Sequence, residues 1–198
     1  MFAVDWISKA LPISRAKPKI LVLGLDNSGK TTLLIILNRT SPLLATSLGP
    51  LVTIPTLSPS STEFLIGDTV CDGYDIGGYL PNRTCWAQYT YDVSGVIFCV
   101  DASDPDKFDT AKFELDKLLV NENLDGVPIL VFGTKVDAPK SVNEERLMQA
   151  LNIGYTLKKG TAVAITNVSR PIEVFMCSML SKRGIESGML WLSQFINK

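Results

Sequence analysis

A glycine-containing stretch near the N-terminus has residue types and a spacing suited to holding phosphate groups. It reads GLDNSGKTT from Gly24 to Thr32, in the pattern Gly-x-x-x-x-Gly-Lys-Thr. Glycines in such a loop let successive backbone N–H groups point inward, and the N-terminus of a following helix adds its positive end. Lys30 would reach the β- and γ-phosphate oxygens, and Thr31 would offer its hydroxyl to Mg²⁺. A nucleoside triphosphate is therefore the first ligand to consider.

The flanking residues favour this interpretation over a chance match in an ordinary turn. The apolar run Ile20–Leu23 before the loop is strand-like, and Leu33–Leu37 continues from Thr31 and Thr32 as the first turns of a helix. The order strand, glycine-bearing loop, helix is the context that a phosphate loop requires.

Two further groups of polar residues follow strand-like runs. Asp75 is followed by Ile76, Gly77 and Gly78, and a later run ends in Thr134-Lys135-Val136-Asp137. An acid at the carboxyl end of a strand can reach a metal, and glycines there free a backbone N–H for a phosphate oxygen. The chain has no histidine. A histidine base and a histidine-ligated zinc site are therefore excluded, which leaves acids, lysines, tyrosines and backbone dipoles for any chemistry.

The elements that must position these residues alternate between strand and helix. Six strands are predicted, at Ile20–Leu23, Glu63–Ile66, Thr69–Tyr74, Gly95–Asp101, Val127–Gly133 and Ile172–Cys177. The second and third form a hairpin at Gly67-Asp68. The alternation predicts an α/β fold of the P-loop NTPase type, a doubly wound, mostly parallel six-stranded sheet with helices on both faces. Its loops gather at the carboxyl ends of the strands.

Two helix starts carry capping signals. Asp104-Pro105 predicts an N-cap followed by the first helical residue, and Phe108, Ala111, Leu115 and Leu118 mark the buried face of that helix. Ser141 and Glu144 have the spacing of a capping box that opens a helix through Leu151.

Length and composition limit the functions to consider. A chain of 198 residues suits one sizeable α/β core. Its net charge of −1 gives no broad cationic field, so nucleic acid is not expected as a partner. The four cysteines are widely spaced without a Cys-x-x-Cys pair, which predicts buried, reduced thiols in a cytosolic protein.

The N-terminal segment 1–18 has the pattern of a short amphipathic helix. Phe2, Trp6 and Ile7 fall on one face, and basic residues follow from Arg15. Such a helix can lie on an anionic membrane surface, or it can pack on its own domain, and the pattern alone leaves both open. Position 2 is not glycine, which excludes N-myristoylation. Residues 40–55 predict a long loop, and 152–170 show no clear pattern.

Taken together, these motifs resemble those of the Ras-like small GTPases. GLDNSGKTTLL, Pro55-Thr56, DIGG at 75–78, TKVD at 134–137 and EVFMCS at 173–178 occur in the family's order. The closing WLSQFI and the segment PTLSPSSTEF make the chain look more narrowly like the Sar branch of the Arf group, the GTPase that starts COPII coat assembly.

This resemblance implies a role for each matching position. Asp26, Asn27, Ser28, Gly29, Lys30, Thr31 and Thr32 would wrap the phosphates of GTP or GDP. Thr31 and Thr56 would ligate Mg²⁺, and Asp75 would hold a metal-bound water. The Gly78 N–H would touch the γ-phosphate. Thr134, Lys135 and Asp137, with Ser178 and Met179, would form the guanine site, in which Asp137 accepts the N1 and N2 hydrogens of the base.

The resemblance also implies a cellular role. A GTP/GDP switch would expose the helix in 1–18 to the membrane, while 19–198 would form the GTP-binding domain. The implied partners are a membrane-bound exchange factor and the inner COPII coat subunits. The implied location is the cytosol and the cytosolic face of the endoplasmic reticulum and Golgi membranes, in vesicle transport between the two.

The catalytic position differs from the family pattern. Tyr79 stands where the Sar group has a histidine that orients the attacking water, and a phenol is bulkier and stays protonated near neutral pH. Thr134 replaces the usual asparagine, and Pro81 enters the segment after Tyr79. Two alternatives follow: a nucleotide-binding platform with little or no GTP hydrolysis, and an adenine-nucleotide kinase. The kinase would leave Lys135 and Asp137 without a role.

Overall fold

The computed structural model describes residues 16–39, 56, 58–154 and 170–196. The predicted helix in 1–18, the loop predicted over 40–55 and most of the 152–170 segment lie outside these residues, so the interpretations of all three remain predictions.

Six strands and five α-helices form the described part of the chain. In chain order they are β1 Lys19–Gly24, α1 Lys30–Arg39, β2 Ser60–Ile66, β3 Thr69–Asp75, α2 Leu80–Arg83, β4 Val93–Asp101, α3 Phe108–Leu119, β5 Ile129–Thr134, α4 Glu144–Ala150, β6 Ile172–Met176 and α5 Ile185–Ile196. The predicted strands are all present, with ends that differ from the prediction by at most three residues.

The strands form one sheet in the order β2-β3-β1-β4-β5-β6. β2 pairs antiparallel with β3 through the predicted hairpin, where Ile66 lies opposite Thr69. The other neighbouring pairs are parallel. The fold is thus the predicted Ras-like P-loop NTPase fold, with a mostly parallel six-stranded sheet. Because β1, β3, β4, β5 and β6 point the same way, the loops after them meet at one edge of the sheet.

Each face of the sheet packs against helices through its own apolar core. Leu33 of α1 and Leu192 of α5 belong to one core, and Leu115 of α3 and Leu147 of α4 belong to the other. The strands between them are buried on both faces, as in β5, where all six residues are buried. Continuous apolar strands of this kind are typical of parallel sheets covered by helices on both sides. The described residues contain no helix with the length and apolar character needed to cross a membrane.

One predicted helix start is confirmed in position, and the other is not. Asp104 is the N-cap and Pro105 the first residue of a 3-10 turn, Pro105–Lys107, that leads into α3, but the Asp104 carboxylate makes no capping bond and instead pairs with Lys107 at 3.6 Å. The predicted buried face of α3 is confirmed. The capping box at Ser141 was wrong. Asn143 is the N-cap of α4, because its Oδ1 accepts from the Arg146 N–H at 2.9 Å.

The cysteines are free thiols, and three of them are buried as predicted. Burial raises the pKa of Cys71 to about 11 and that of Cys99 to about 12. Burial also raises the pKa of Cys177. Cys85 is only half-buried. Thiols with raised pKa values stay protonated near neutral pH, which makes the three buried ones unreactive.

Candidate functional site

A cleft of about 240 Å³ opens where the carboxyl ends of the parallel strands meet. It contains most of the predicted site residues, and these come from four separate stretches of the chain. Its lining consists of Asp26, Asn27, Gly29, Lys30, Thr31, Thr32, Thr56, Gly78, Tyr79 and Lys135. Six predicted site residues lie outside this lining: Ser28, Asp75, Thr134, Asp137, Ser178 and Met179.

Lys30 is the first residue of α1, and its ammonium group lies within the loop that precedes the helix. Its side chain wraps back so that Nζ donates to the Leu25 carbonyl at 2.7 Å, and the residue is only 6% exposed. Burial lowers the pKa of Lys30, although Cys99, Asp75 and Asp26 act in the opposite direction. A buried cation at a helix N-terminus provides a strong local attraction for an anion entering the cleft.

Three oxygen-bearing side chains meet beside Lys30, and we call Thr31, Thr56 and Asp75 the hydroxyl–carboxylate cluster. The Thr31 and Thr56 hydroxyls lie 2.5 and 2.9 Å from Oδ2 of Asp75 and 2.9 Å from each other. Oδ1 of Asp75 is buried without a hydrogen-bond partner. A buried carboxylate oxygen without a partner is costly, and hard divalent cations prefer oxygen ligands. The donor set therefore fits Mg²⁺, held directly or through water.

Gly78 is packed against the start of the phosphate loop. A Cβ placed on it would lie 2.3 Å from the Gly24 carbonyl oxygen and 2.5 Å from the Asp26 nitrogen. No side chain can occupy that space, so glycine is required for this close backbone approach. The next residue, Tyr79, is 62% exposed at the rim of the cleft. The phenol is thus not held against the phosphate loop.

Thr134 makes a hydrogen bond to the backbone of the phosphate loop. Its fully buried hydroxyl lies 2.9 Å from the Ser28 carbonyl and 3.1 Å from the Val100 carbonyl. The hydroxyl thereby ties the end of β5 to the phosphate loop and to β4. Direct contact of Thr134 with a nucleotide stays a prediction. The Ser28 hydroxyl beside it is buried and has no hydrogen-bond partner.

Lys135 lies on the floor of the cleft in an uncommon backbone conformation. Its φ is +58°, a left-handed value that costs a non-glycine residue free energy and persists where the surroundings enforce it. Its Nζ lies 2.6 Å from Oδ2 of Asp101. Burial of Asp101 opposes its ionisation, but hydrogen bonds from Lys135 and Ser103 outweigh that effect and lower the pKa of Asp101. The ion pair fixes the direction of the Lys135 side chain.

The remaining residues predicted for the base come from two loops that are joined by their backbones. The Val136 N–H donates to the Cys177 carbonyl at 3.3 Å, which brings Asp137 beside the loop after β6. Asp137 is exposed. Ser178 is buried, and its hydroxyl accepts from the Ser181 N–H at 3.1 Å. These contacts support the predicted base site without assigning a role to each residue.

Sequence reasoning missed the residues that hold the site residues in place. Asp26 lies 3.2 Å from Nζ of Lys107 and 3.5 Å from a guanidinium nitrogen of Arg83. Burial opposes ionisation of Asp26, but the hydrogen bond and charge of Lys107 lower its pKa. Asp101 could have been found, because it is an acid at the carboxyl end of a strand, like Asp75. Nothing local in the sequence indicates the partners of Lys107 and Arg83.

The ADP-ribosylation factor family (Arf) matches residues 5–196 of the chain. The chain belongs to this family. Arf-family proteins are small GTPases that bind guanine nucleotides and, in general, hydrolyse GTP. The predicted family and fold are thereby confirmed, and the cleft lies outside the carboxyl ends of the strands, where ligands generally bind in doubly wound sheets.

Several curated Arf-family proteins are similar to the chain over nearly its whole length. The small COPII coat GTPase SAR1 of Giardia intestinalis is 33% identical, over 97% of this chain and 98% of that protein. The small COPII coat GTPase SAR1 of Nicotiana tabacum is 34% identical, over 99% and 100%. ADP-ribosylation factor-like protein 3 of Caenorhabditis elegans is 31% identical, over 98% and 95%.

A solved structure shares the fold. The Arl6 BBS3 small GTPase from Trypanosoma brucei, with the bound nucleotide analogue GppNp, aligns with a TM-score of 0.72 and 26% sequence identity. The alignment covers 91% of this chain and 98% of that one.

Proposed function

We propose that this Arf-family protein is a Sar-type GTP/GDP switch that recruits the COPII coat to endoplasmic reticulum membranes for transport to the Golgi. The hydroxyl–carboxylate cluster beside Lys30 carries the switch part of the proposal, because it brings together residues from three separate segments of the chain. The Sar assignment is supported by the two relatives that are named as small COPII coat GTPases.

The cleft provides the parts for binding a triphosphate. The phosphate loop from Asp26 to Thr32 would hold the phosphates through backbone N–H groups, with Lys30 as the buried cation. Thr31, Thr56 and Asp75 would hold Mg²⁺, which supplies positive charge to the phosphate oxygens when bound. Gly78 would offer its backbone N–H near the terminal phosphate.

Thr56 and Gly78 supply the switch itself. A bound triphosphate and its metal would draw the segments that carry these two residues together, and hydrolysis would release them. No described residue is positioned as an arginine finger, since Arg83 is engaged by Asp26 and the Gly78 carbonyl. We therefore expect the intrinsic rate of hydrolysis to be low, and to rise when a partner completes the site.

The base site would select guanine. Lys135 would lie along the ring, and the Asp137 carboxylate would accept from the ring N1–H and the exocyclic N2 amino group, two donors that guanine has and adenine lacks. A charge-assisted hydrogen bond of this kind contributes about 1.5–3 kcal/mol. Ser178 and Met179 would close the site from the loop after β6.

The proposed membrane step uses the chain outside the described residues. The amphipathic helix in 1–18 would insert its aromatic face into the cytosolic leaflet when GTP is bound. An exchange factor on that membrane would load GTP, and the inner coat subunits would bind the GTP state.

Nucleotide competition followed by coat recruitment tests the proposal. Fluorescent GDP bound to the protein should be displaced by GTP or GDP but not by ATP. GTP-loaded protein should then float with anionic liposomes and carry purified inner coat subunits. The Trp6→Asp variant should bind nucleotide but should not float with the liposomes. Displacement by ATP would overturn the guanine assignment, and unchanged flotation of Trp6→Asp would overturn the membrane step.

The exposure of Tyr79 favours a second candidate, a nucleotide-binding platform that hydrolyses little or no GTP. A phenol that is mostly exposed at the rim of the cleft is poorly placed to hold an attacking water. Single-turnover hydrolysis by the wild type and by Tyr79→His separates the two candidates. Faster hydrolysis in the histidine variant, with a wild type that stays inert beside the coat activator, would favour the platform.

A further inference from the structure

The side chain of Asn82 connects two segments that the proposed switch must hold together. Asn82 lies in α2, shortly after the two glycines and Tyr79. Its amide Nδ2 donates to the backbone carbonyl of Thr56 at 3.3 Å. Thr56 belongs to the hydroxyl–carboxylate cluster and lies 26 positions before Asn82 in the chain. A residue outside the cleft lining therefore contacts the backbone that carries a predicted metal ligand.

The backbone of Gly77 makes room for this contact. A Cβ on Gly77 would lie 2.3 Å from Nδ2 of Asn82 and 2.5 Å from the Thr56 carbonyl oxygen. Any side chain at position 77 would thus occupy the space where the amide meets the carbonyl. Gly77 therefore leaves space for the Asn82 contact, and Gly78 allows the close approach to the phosphate loop.

The segment that carries Asn82 is anchored on its other side. Arg83 donates through Nε to the Gly78 carbonyl at 2.7 Å, and Trp86 donates to the Gly77 carbonyl at 3.1 Å. Arg83 also lies 3.7 Å from the buried Glu114 of α3. Asn82 therefore extends towards Thr56 from a turn that is fixed to the rest of the domain.

We propose that Asn82 is a positioning residue that holds Thr56 in its metal-binding place and so stabilises the GTP-bound state over the GDP-bound state. The inference rests on the proposed function, because it takes Thr56 as a ligand of Mg²⁺ when GTP is bound. The hydrogen bond can favour one nucleotide only to the extent that it forms more fully in that state. Its effect should therefore need both the terminal phosphate and the metal.

Dissociation rates of fluorescent GDP and fluorescent GppNHp, with Mg²⁺ or with a chelator, test this role. In Mg²⁺, Asn82→Ala should release GppNHp about three- to tenfold faster than the wild type, the range expected for one hydrogen bond. GDP release should be unchanged, and the chelator should remove the difference. Asn82→Asp keeps the shape but replaces the donor by a carboxylate that repels the Thr56 carbonyl, so it should release GppNHp at least as fast as Asn82→Ala.

Thr84→Ala is a matched control in the same turn, because its hydroxyl contacts only the local Pro81 carbonyl and its side chain is exposed. It should behave as the wild type. Wild-type behaviour of Asn82→Asp, or equal acceleration of GDP and GppNHp release in Asn82→Ala, would overturn the positioning role. A wild type that retains neither nucleotide in Mg²⁺ would instead overturn the proposed function itself.

Discussion

The Thr31 hydroxyl lies 2.5 Å from Oδ2 of Asp75, although the two residues are 44 positions apart in the chain. Thr31 is the second residue of α1, which follows β1, and Asp75 ends β3, which is the parallel neighbour of β1. Their meeting follows from the sheet order, because the carboxyl ends of neighbouring parallel strands share one edge. The remaining oxygen of Asp75 is buried without a hydrogen-bond partner, and this observation supports the proposed cation site.

Asp75→Asn should weaken the effect of Mg²⁺ on nucleotide release. The substitution keeps the size of the side chain but removes its charge. Loss of a residue that holds a metal-bound water typically lowers metal affinity by about 10–100-fold. The Mg²⁺ concentration that half-maximally slows GDP dissociation should rise by about that factor. Asp72→Asn, in the same strand, is the control. An unchanged Mg²⁺ titration in Asp75→Asn would contradict the metal assignment.

Thr134→Val should destabilise the protein and loosen nucleotide binding. Valine keeps the volume of threonine but leaves the buried Ser28 carbonyl without its hydroxyl donor, a loss worth about 1–3 kcal/mol in the free energy of unfolding. Thr134→Ser keeps the hydroxyl and should stay much closer to the wild type. Urea unfolding and GDP dissociation rates measure the two effects. A valine variant as stable as the wild type would show that the tie to the phosphate loop contributes little.

Nucleotide affinity should fall as the pH rises, and the fall should begin at a pH below 10.5, the ordinary pKa of lysine. Burial lowers the pKa of Lys30 in the free protein, whereas bound phosphate would favour the charged form and raise it. Below the lowered pKa the lysine is already charged and affinity is flat. Between the two pKa values, binding takes up a proton, so affinity falls as pH increases.

Lys30→Arg supplies the control for this pH dependence, because a guanidinium stays charged throughout the range. Any decline in its affinity reports titration of the nucleotide or of other groups, and the difference in slope from the wild type belongs to Lys30. Dissociation constants for GDP measured from neutral to alkaline pH test the prediction. Identical slopes in the two proteins would contradict it.

Asp137→Asn should shift base preference from guanine towards xanthine. The carboxylate can only accept hydrogen bonds, whereas an asparagine amide can also donate to the O2 carbonyl that xanthine has in place of the guanine amino group. The affinity for GDP relative to XDP should fall by about tenfold or more, as expected for loss of a charge-assisted hydrogen bond. Competition against a fluorescent nucleotide measures the ratio. A ratio equal to that of the wild type would remove Asp137 from the base site.

Local patterns sufficed to predict the frame and most of the cleft. The strand, loop and helix around Lys30 are contiguous in sequence, and Asp75 is the last residue of its strand. Their positions can therefore be predicted from neighbouring residues in the chain. The helix starts were less predictable. Asp104 has the predicted N-cap position, but of a 3-10 turn before α3, and Asn143 rather than Ser141 caps α4.

The supporting contacts could not be predicted, because each joins residues that only the tertiary fold brings together. Asn82 reaches Thr56 across the gap left by Gly77, and Asp101 meets Lys135 from the neighbouring strand. The role of Thr134 shows the same limit. Its sequence position indicated the base site, whereas the structure shows its hydroxyl bound to the Ser28 carbonyl beneath the phosphate loop.

Release of phosphate from the GTP- and Mg²⁺-loaded protein, followed with and without the inner coat subunits, tests the proposed switch most directly. We expect tight GTP binding, slow phosphate release by the protein alone and clear acceleration by the coat subunits, with Tyr79 or a group from the partner taking the place of the histidine found in the Sar group. Tight binding with no release under either condition would contradict the switch and leave a guanine-nucleotide platform.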